Sequence, residues 1–155
     1  MNECNSLVTP SDVNVRLDDA SNDEEGVDCP YSKLTGSLMY LTVATRPDIA
    51  NTVSWLAQFT SKPGKRHWLA AKTVLSYLGG TANIGLLFKR TGKPLFGNID
   101  ADWGGSTVDP RSYTGYMFLL SGAAITWKSQ KQKTVALSST EVEYVSLAEG
   151  AKQAF

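Results

Sequence analysis

The sequence predicts an α+β fold in which a helical segment is followed by three strands and a closing helix. Apolar residues recur at helical spacing from residue 31 to about residue 80, and from residue 85 the period changes to two. Apolar residues make up 42% of the 155 residues, which suits a packed core in one domain of ordinary size or in parts of two.

The first 30 residues are predicted to form a disordered acidic arm. Their centre reads DDASNDEEGVD and offers too little apolar surface to offset the entropy of an ordered chain. Cys4 and Cys29 lie in this arm and match neither a metal-binding CxxC pair nor a disulfide framework. We therefore interpret both as free thiols.

Residues 31–82 are predicted to form a helical segment with three helices. The first has apolar residues at helical spacing, at Leu34, Leu38 and Leu41. In the second, Thr45 is a candidate cap, Pro47 suits the first turn and Asp48 favours the positive end of the helix dipole. One apolar stripe follows, formed by Ile49, Val53, Leu56 and Ala57.

The third helix is predicted from KRHWLAAKTVLSYLGG, with its C-terminal stop at Gly79 and Gly80. One of its faces is apolar and consists of Trp68, Ala71, Leu75 and Leu78. His67 is the single histidine of the chain and opens this helix, so we interpret it as structural.

The second half of the chain alternates apolar and polar residues, as strands do. The runs IGLLFKR and PLFGNIDADW are separated by a TGK turn, and SYTGYMFLL and ITWKSQ follow. Consecutive strands with short connections predict an antiparallel meander. The last segment is predicted to be a helix that starts with a capping box of Ser138 and Glu141. Its expected apolar stripe is Val142, Val145 and Ala148, flanked by Tyr144, Leu147 and Ala151.

Five motifs in a fixed order resemble the Pol polyprotein of copia-type LTR retrotransposons. They are YSKLTGSLMYLTVATRPDIA, HWLAAKTVLSYLGGT, DADWGG, RSYTGYMF and ITWKSQKQKTVALSSTEVEY. The resemblance implies that residues 31–82 are a thumb- or connection-like segment at the end of a reverse transcriptase. It also implies that residues 83–155 are the N-terminal half of an RNase H-like domain, a truncated β-β-β-α unit.

The same resemblance implies a candidate metal site. RNase H enzymes hydrolyse the RNA strand of an RNA–DNA hybrid with two Mg²⁺ ions, which require several carboxylate oxygens. The implied catalytic and metal-binding residues are Asp100 and Glu141, whereas Asp102 belongs to the motif without being the ligand. The further acidic ligands of the complete site come from later elements. We therefore expect weak or absent Mg²⁺ binding and no catalysis by this chain alone.

Other interpretations remain open at this stage. The chain has 15 basic and 15 acidic residues, so its net charge does not decide for or against nucleic acid. Basic residues concentrate between residues 62 and 93 and between 128 and 133, which is compatible with a residual nucleic-acid-binding or interaction module. A third hypothesis is that the chain is one piece of a longer reading frame.

The resemblance and the composition also predict partners and location. Without the later strands of the complete fold, the exposed edge of the first strand predicts self-association. No apolar run reaches the roughly 18 residues of a membrane span, and the N-terminus does not resemble a signal peptide. We therefore expect no membrane partner and an intracellular location, cytoplasmic or nuclear.

Overall fold

A computed structural model describes residues 7–11, 29–103 and 109–154. The chain divides into two compact units, Met1–Gly85 and Leu86–Phe155. Most of the predicted acidic arm, residues 1–6 and 12–28, lies outside the described residues, and its disorder stays a prediction.

The first unit is helical, as the sequence predicts. Helix α1 spans Tyr31–Ala44, a 3₁₀ helix spans Pro47–Ile49, α2 spans Ala50–Ala57 and α3 spans Lys65–Gly80. The double glycine therefore does end the third helix.

The core of this unit is built from one face of each helix. Its fully buried apolar side chains include Leu38, Ile49, Val53, Leu56, Ala71 and Val74. The predicted stripe of α2 is therefore confirmed, apart from the half-buried Ala57. On α3 the buried face runs through His67, Ala71, Val74 and Tyr77. Trp68, Leu75 and Leu78 pack at its edge rather than at its centre.

A hydrogen bond ties α1 to α2 inside this core. The Tyr31 hydroxyl donates to the Leu56 carbonyl oxygen over 2.8 Å. Burial of the phenol raises the pKa of Tyr31 to about 12, because the charged phenolate is poorly solvated there. The hydroxyl therefore remains a donor at every physiological pH.

An ion-pair network centred on Arg46 joins the start of the 3₁₀ helix to the end of α3. The Arg46 guanidinium donates to both carboxylate oxygens of Asp48, with the shortest N–O distance 2.8 Å. It also donates to Thr81, over 3.2 Å to the carbonyl oxygen and 2.7 Å to the hydroxyl. The Tyr77 hydroxyl donates to the same Asp48 carboxylate over 2.8 Å. Asp48 thus bridges two elements, whereas the sequence predicts only a dipole role for it.

The predicted cap at Thr45 is wrong. The Thr45 backbone N–H donates to the Leu41 carbonyl oxygen, which makes Thr45 the C-terminal boundary of α1. The residue before the 3₁₀ helix is Arg46, which makes no side-chain cap hydrogen bond.

The second unit contains a three-stranded antiparallel sheet in the order β1-β2-β3, which confirms the predicted meander. Strand β1 spans Phe96–Asp102, β2 spans Tyr113–Leu120 and β3 spans Ala123–Lys131. Strands β2 and β3 are joined by Ser121 and Gly122, both with positive φ, as a two-residue hairpin of matching twist requires.

The alternating run at residues 84–90 is not a strand, so that interpretation is wrong. Its backbone pairs with the hairpin through one hydrogen bond, from the Lys89 N–H to the Ser121 carbonyl oxygen over 2.8 Å. Ile84, Leu87 and Phe88 are all more than half exposed. Alternation alone does not make a strand where no neighbouring strand completes the ladder.

Helix α4 spans Ser139–Ala154 and packs on the sheet, against β1 and β2. Its buried residues are Val142, Ser146 and Gly150, so only Val142 of the predicted stripe is confirmed. A Cβ atom on Gly150 would lie 2.7 Å from Ile99 Cγ1, closer than side chains pack. Close approach of the helix to β1 at this point therefore requires a glycine at position 150.

A buried polar cluster lies between α4 and the sheet. The hydroxyls of Thr114 and Ser146 are 2.9 Å apart. The Gln132 amide nitrogen donates to Thr114 over 2.9 Å and to the Val142 carbonyl oxygen over 3.2 Å. These directional bonds orient the helix on the strands, and the sequence pattern alone did not reveal them.

Candidate carboxylate site

Asp100, the first candidate ligand, lies on the exposed side of β1. Ile99 faces α4 at Gly150, and neighbouring residues of a strand point to opposite faces. Asp100 and Asp102 therefore share the face that α4 does not cover, and both are exposed. One carboxylate oxygen of Asp100 accepts a hydrogen bond from the Ala101 backbone N–H over 2.9 Å.

Glu141, the second candidate ligand, lies in the first turn of α4. The Ser138 hydroxyl oxygen accepts from the Glu141 backbone N–H over 3.2 Å, which is the first half of the predicted capping box. The Glu141 carboxylate accepts from the Leu137 backbone N–H over 2.8 Å, one residue before the expected position. In this structure the Glu141 side chain serves as a helix cap.

The two carboxylates come from different layers of the unit. Asp100 faces away from α4, whereas Glu141 lies on α4. Carboxylate oxygens are the ligand type that Mg²⁺ takes, so the donor chemistry of both residues fits. Among the described residues no group of three or more His, Cys, Asp or Glu side chains could hold a metal ion. The catalytic and metal-binding roles of Asp100 and Glu141 stay predictions.

A further carboxylate, that of Asp109, which the sequence reasoning missed, lies just before β2. Asp109 accepts from the Arg111 guanidinium over 2.6 Å and from the Lys131 ammonium over 2.9 Å. These two cations, Arg111 first, hold the pKa of Asp109 well below its ordinary value. Part of the basic run at residues 128–133 is therefore already engaged within the unit.

His67 has a structural position, as the sequence predicts. It is buried, and its Nδ1 atom accepts from the Gly64 backbone N–H over 2.8 Å. Its ring stacks on Phe59 with the centroids 4.0 Å apart. Cys29 is a free thiol, which confirms its interpretation, and Cys4 lies outside the described residues.

The outer edge of β1 also bears on the predicted self-association. In the strand order β1-β2-β3, β1 lies at one edge. Phe96 at its start is 59% exposed. Pairing of this edge with a second chain stays a prediction.

These features define an α+β protein with a three-helix unit and a β-β-β-α unit whose first strand and last helix carry the candidate carboxylates. The chain is 50% identical over 126 residues to the "Secreted RxLR effector protein 161" of Plasmopara viticola. It is 48% identical over 124 residues to the "Retrovirus-related Pol polyprotein from transposon TNT 1-94" of Nicotiana tabacum. It is 37% identical over 123 residues to the "Putative transposon Ty5-1 protein YCL074W" of Saccharomyces cerevisiae.

The matches cover most of this chain and very different shares of its relatives. They include 81%, 80% and 77% of this chain, in the same order. The chain spans 89% of the Plasmopara protein, 9% of the tobacco polyprotein and 40% of the yeast protein. The chain belongs to one family with the Plasmopara protein and with the matching segments of retrotransposon Pol polyproteins.

The remaining comparisons add no further assignment. No protein-family model and no solved structure matches the chain. In the described parts of the chain, no helix has the length and apolar character that crossing a membrane requires.

Proposed function

We propose that this chain corresponds to the part of a copia-type Pol polyprotein in which the reverse transcriptase ends and the RNase H domain begins. The observation that carries the proposal is the placement of Asp100 on the first strand and Glu141 in the first turn of the following helix of a β-β-β-α unit. The match to retrotransposon Pol polyproteins over most of the chain supports it. The helical unit then corresponds to the thumb or connection.

The proposed ancestral activity is hydrolysis of the RNA strand of an RNA–DNA hybrid, inside the cell. Asp100 and Glu141 are the candidate ligands of Mg²⁺ by their carboxylate chemistry, although the structure places them on different layers of the unit. The ions, when bound, would supply activation of water and stabilisation of the leaving oxygen. Mg²⁺ gives up its hydration shell reluctantly, so two protein carboxylates bind it weakly. We infer that this chain alone does not cleave hybrids and that activity requires additional acidic ligands.

An assay of the chain itself tests the inferred inactivity. A labelled RNA–DNA hybrid is incubated with the purified chain in Mg²⁺ and, separately, in Mn²⁺. We expect no cleavage above that of the Asp100→Asn variant prepared in parallel. Cleavage by the chain that Asp100→Asn abolishes and Asp102→Asn preserves would overturn the inference of inactivity, while still supporting Asp100 as a ligand.

A chimera tests the assignment of the site. The chain replaces the matching segment of a copia-type Pol polyprotein that cleaves hybrids. We expect cleavage by the chimera to be lost on Asp100→Asn and retained on Asp102→Asn, because the two aspartates share one strand face but only one is the assigned ligand. Equal loss in both variants, or retention in both, would contradict the assignment.

A third variant separates the two roles of Glu141. Glutamine keeps an acceptor oxygen for the Leu137 N–H but removes the negative charge that a metal ion requires. Glu141→Gln should therefore leave the helicity of the chimera unchanged and abolish its cleavage. Retained cleavage would show that Glu141 is a cap and not a ligand.

A further inference from the structure

Gln132 is a buried residue at the point where the chain leaves strand β3 and turns toward α4. It follows Lys131, the last residue of β3, and is 4% exposed. Its backbone N–H donates to the Ser112 carbonyl oxygen over 2.8 Å, which extends the pairing of β2 with β3 by one residue. The main chain of Gln132 is therefore held on the sheet, and its side chain projects from a fixed position.

The Gln132 amide nitrogen makes three contacts that join the sheet to α4. It lies 2.9 Å from the Thr114 hydroxyl oxygen, 3.2 Å from the Val142 carbonyl oxygen and 3.3 Å from the Ser146 hydroxyl oxygen. The Val142 carbonyl can only accept a hydrogen bond, so the amide nitrogen must face it and Oε1 must point away. Among the described residues, Oε1 finds no hydrogen-bond donor. The hydrogen bonds of this buried side chain therefore all involve its nitrogen.

Two of these contacts lie beside the two candidate ligands. Thr114 is the register partner of Ala101, the residue that follows Asp100 on β1. Val142 directly follows Glu141 in the first turn of α4. The amide therefore links the strand pair that carries one candidate ligand to the helical turn that carries the other.

We propose that Gln132 is a positioning residue for the candidate carboxylate site, an inference that rests on the proposed function. Near its C-terminal end α4 contacts β1 through Gly150 and Ile99, and at its first turn it accepts the hydrogen bond from Gln132. Loss of the Gln132 amide leaves the contact at Gly150 in place and allows the first turn of α4 to move. Glu141 then moves relative to Asp100, whereas catalytic groups must be held within about 0.5 Å of their working geometry.

Residual dipolar couplings of the backbone N–H groups, measured on the full chain, test this placement directly. Gln132→Met keeps the approximate length of the side chain and removes its donor. We expect the couplings of α4 to depart from the orientation relative to the sheet that fits the unsubstituted chain, while the couplings within the sheet still agree. A loss of stability alone would not change this orientation in the folded chain.

Two further variants sharpen the test. Gln130→Met is the same substitution two residues earlier on the same face of β3, and as the matched control it should change none of these couplings. Gln132→Asn keeps an amide that is one methylene too short to reach Val142, so it should change the couplings of α4 as Gln132→Met does. It also keeps the inference testable if Gln132→Met does not fold, which circular dichroism reports.

The functional consequence is measured in the chimera in which this chain replaces the matching segment of a copia-type Pol polyprotein that cleaves hybrids. A misplaced catalytic group slows the chemical step without weakening substrate binding. Gln132→Met should therefore lower kcat for hybrid cleavage about 10- to 100-fold and leave KM within about twofold of its original value. Gln130→Met should leave both constants unchanged.

The outcomes separate this inference from the proposed function. Unchanged couplings of α4 in both Gln132 variants would overturn the inference. It would also be overturned by an unchanged kcat of the Gln132→Met chimera when Asp100→Asn abolishes cleavage, a result that leaves the proposed function intact. Cleavage that survives Asp100→Asn would contradict the proposed function itself, and the role of Gln132 would be overturned together with it.

Discussion

Replacing Asp48 with asparagine tests the ion-pair network of the helical unit. Asparagine has nearly the shape of aspartate but lacks its charge, and its amide nitrogen cannot accept a hydrogen bond. The Arg46 guanidinium, whose side chain is 9% exposed, would lose its carboxylate partner while remaining buried. The Tyr77 hydroxyl would lose a charged acceptor.

The geometry sets the size of the expected loss. Arg46 makes two close bonds to the carboxylate, at 3.0 and 2.8 Å, and each hydrogen bond to a charged group contributes about 1.5–3 kcal/mol. The Asp48 side chain is 32% exposed, so water compensates in part, and the asparagine oxygen still accepts one bond. We therefore expect a loss of about 2–3 kcal/mol in the free energy of unfolding of the helical unit.

Hydrogen exchange of the α3 amides measures this loss in the full chain. Protection there reports opening of the helix whose C-terminal end Arg46 and Asp48 hold. Lys62→Gln, an exposed loop substitution, serves as the matched control and should change the same amides by less than about 0.5 kcal/mol.

The pH dependence of the free energy of unfolding gives an independent check of the role of Asp48. Burial disfavours ionisation of Asp48, but the hydrogen bonds from Arg46 and Tyr77 outweigh burial and lower the pKa of Asp48. A carboxylate whose pKa is lower in the folded state than in the unfolded state stabilises the fold at pH values above its unfolded-state pKa of about 4. This contribution is lost as the pH falls toward the folded-state pKa. In the Asp48→Asn variant the free energy of unfolding should therefore fall less as the pH is lowered from neutral to acid. A loss of unfolding free energy of less than about 0.5 kcal/mol at neutral pH, or an unchanged dependence on acid pH, would refute the reasoning.

Three further predictions concern the second unit and a glycine control. Gly150→Ala should destabilise the chain by about 1–3 kcal/mol, because the added methyl group overpacks against β1. Gly36→Ala, which has open space around it in α1, should instead stabilise the chain by up to about 1 kcal/mol. Thermal unfolding measures both changes, and equal effects would contradict the close approach of Gly150 to β1. Gln132→Leu should lower the free energy of unfolding by about 1–3 kcal/mol, because it removes the amide donor of the buried polar cluster. Urea denaturation measures this change, and an unchanged free energy would show that the cluster is dispensable. Ser138→Ala should cost about 1 kcal/mol and fray the first turn of α4, seen as faster amide exchange at Glu141, and unchanged exchange would show that the hydroxyl is not a cap.

Sequence periodicity was sufficient to predict the elements whose buried faces consist of large apolar side chains. The three helices of the first unit and the order of the strands follow from it, because long apolar side chains fill the helical core and turn residues separate the strands.

Periodicity was misleading where one helix approaches a sheet closely. Of the predicted stripe of α4 only Val142 is buried, and the residues that join it on the packed face are Ser146 and Gly150, of which Gly150 lies directly against Ile99 of β1. The segment at residues 84–90 has strand alternation without a neighbouring strand to pair with. Whether a partner exists is a property of the fold and not of the segment.

Long-range polar contacts escaped the sequence reasoning as well. Asp48 and Tyr77 are 29 residues apart, and Gln132 meets Ser146 across 14 residues. No local spacing rule connects such pairs, because the chain path between them decides whether they meet. The candidate ligands Asp100 and Glu141 were found through the resemblance, and the structure places them on separate layers without testing their role.

The buried polar cluster between α4 and the sheet, together with Gly150 against Ile99, restricts sliding of α4 along its axis. Sliding the helix along its axis by one turn would carry the bulkier Ser146 or Ala154 into the space that Gly150 leaves, and it would separate Ser146 from Thr114. A helix held on a sheet by apolar contacts alone could pack at several neighbouring positions along its axis, whereas these contacts allow α4 a single position. The position of the first turn of α4 relative to β1 is therefore fixed near the far end of the helix, at Gly150, about two and a half turns away from Glu141.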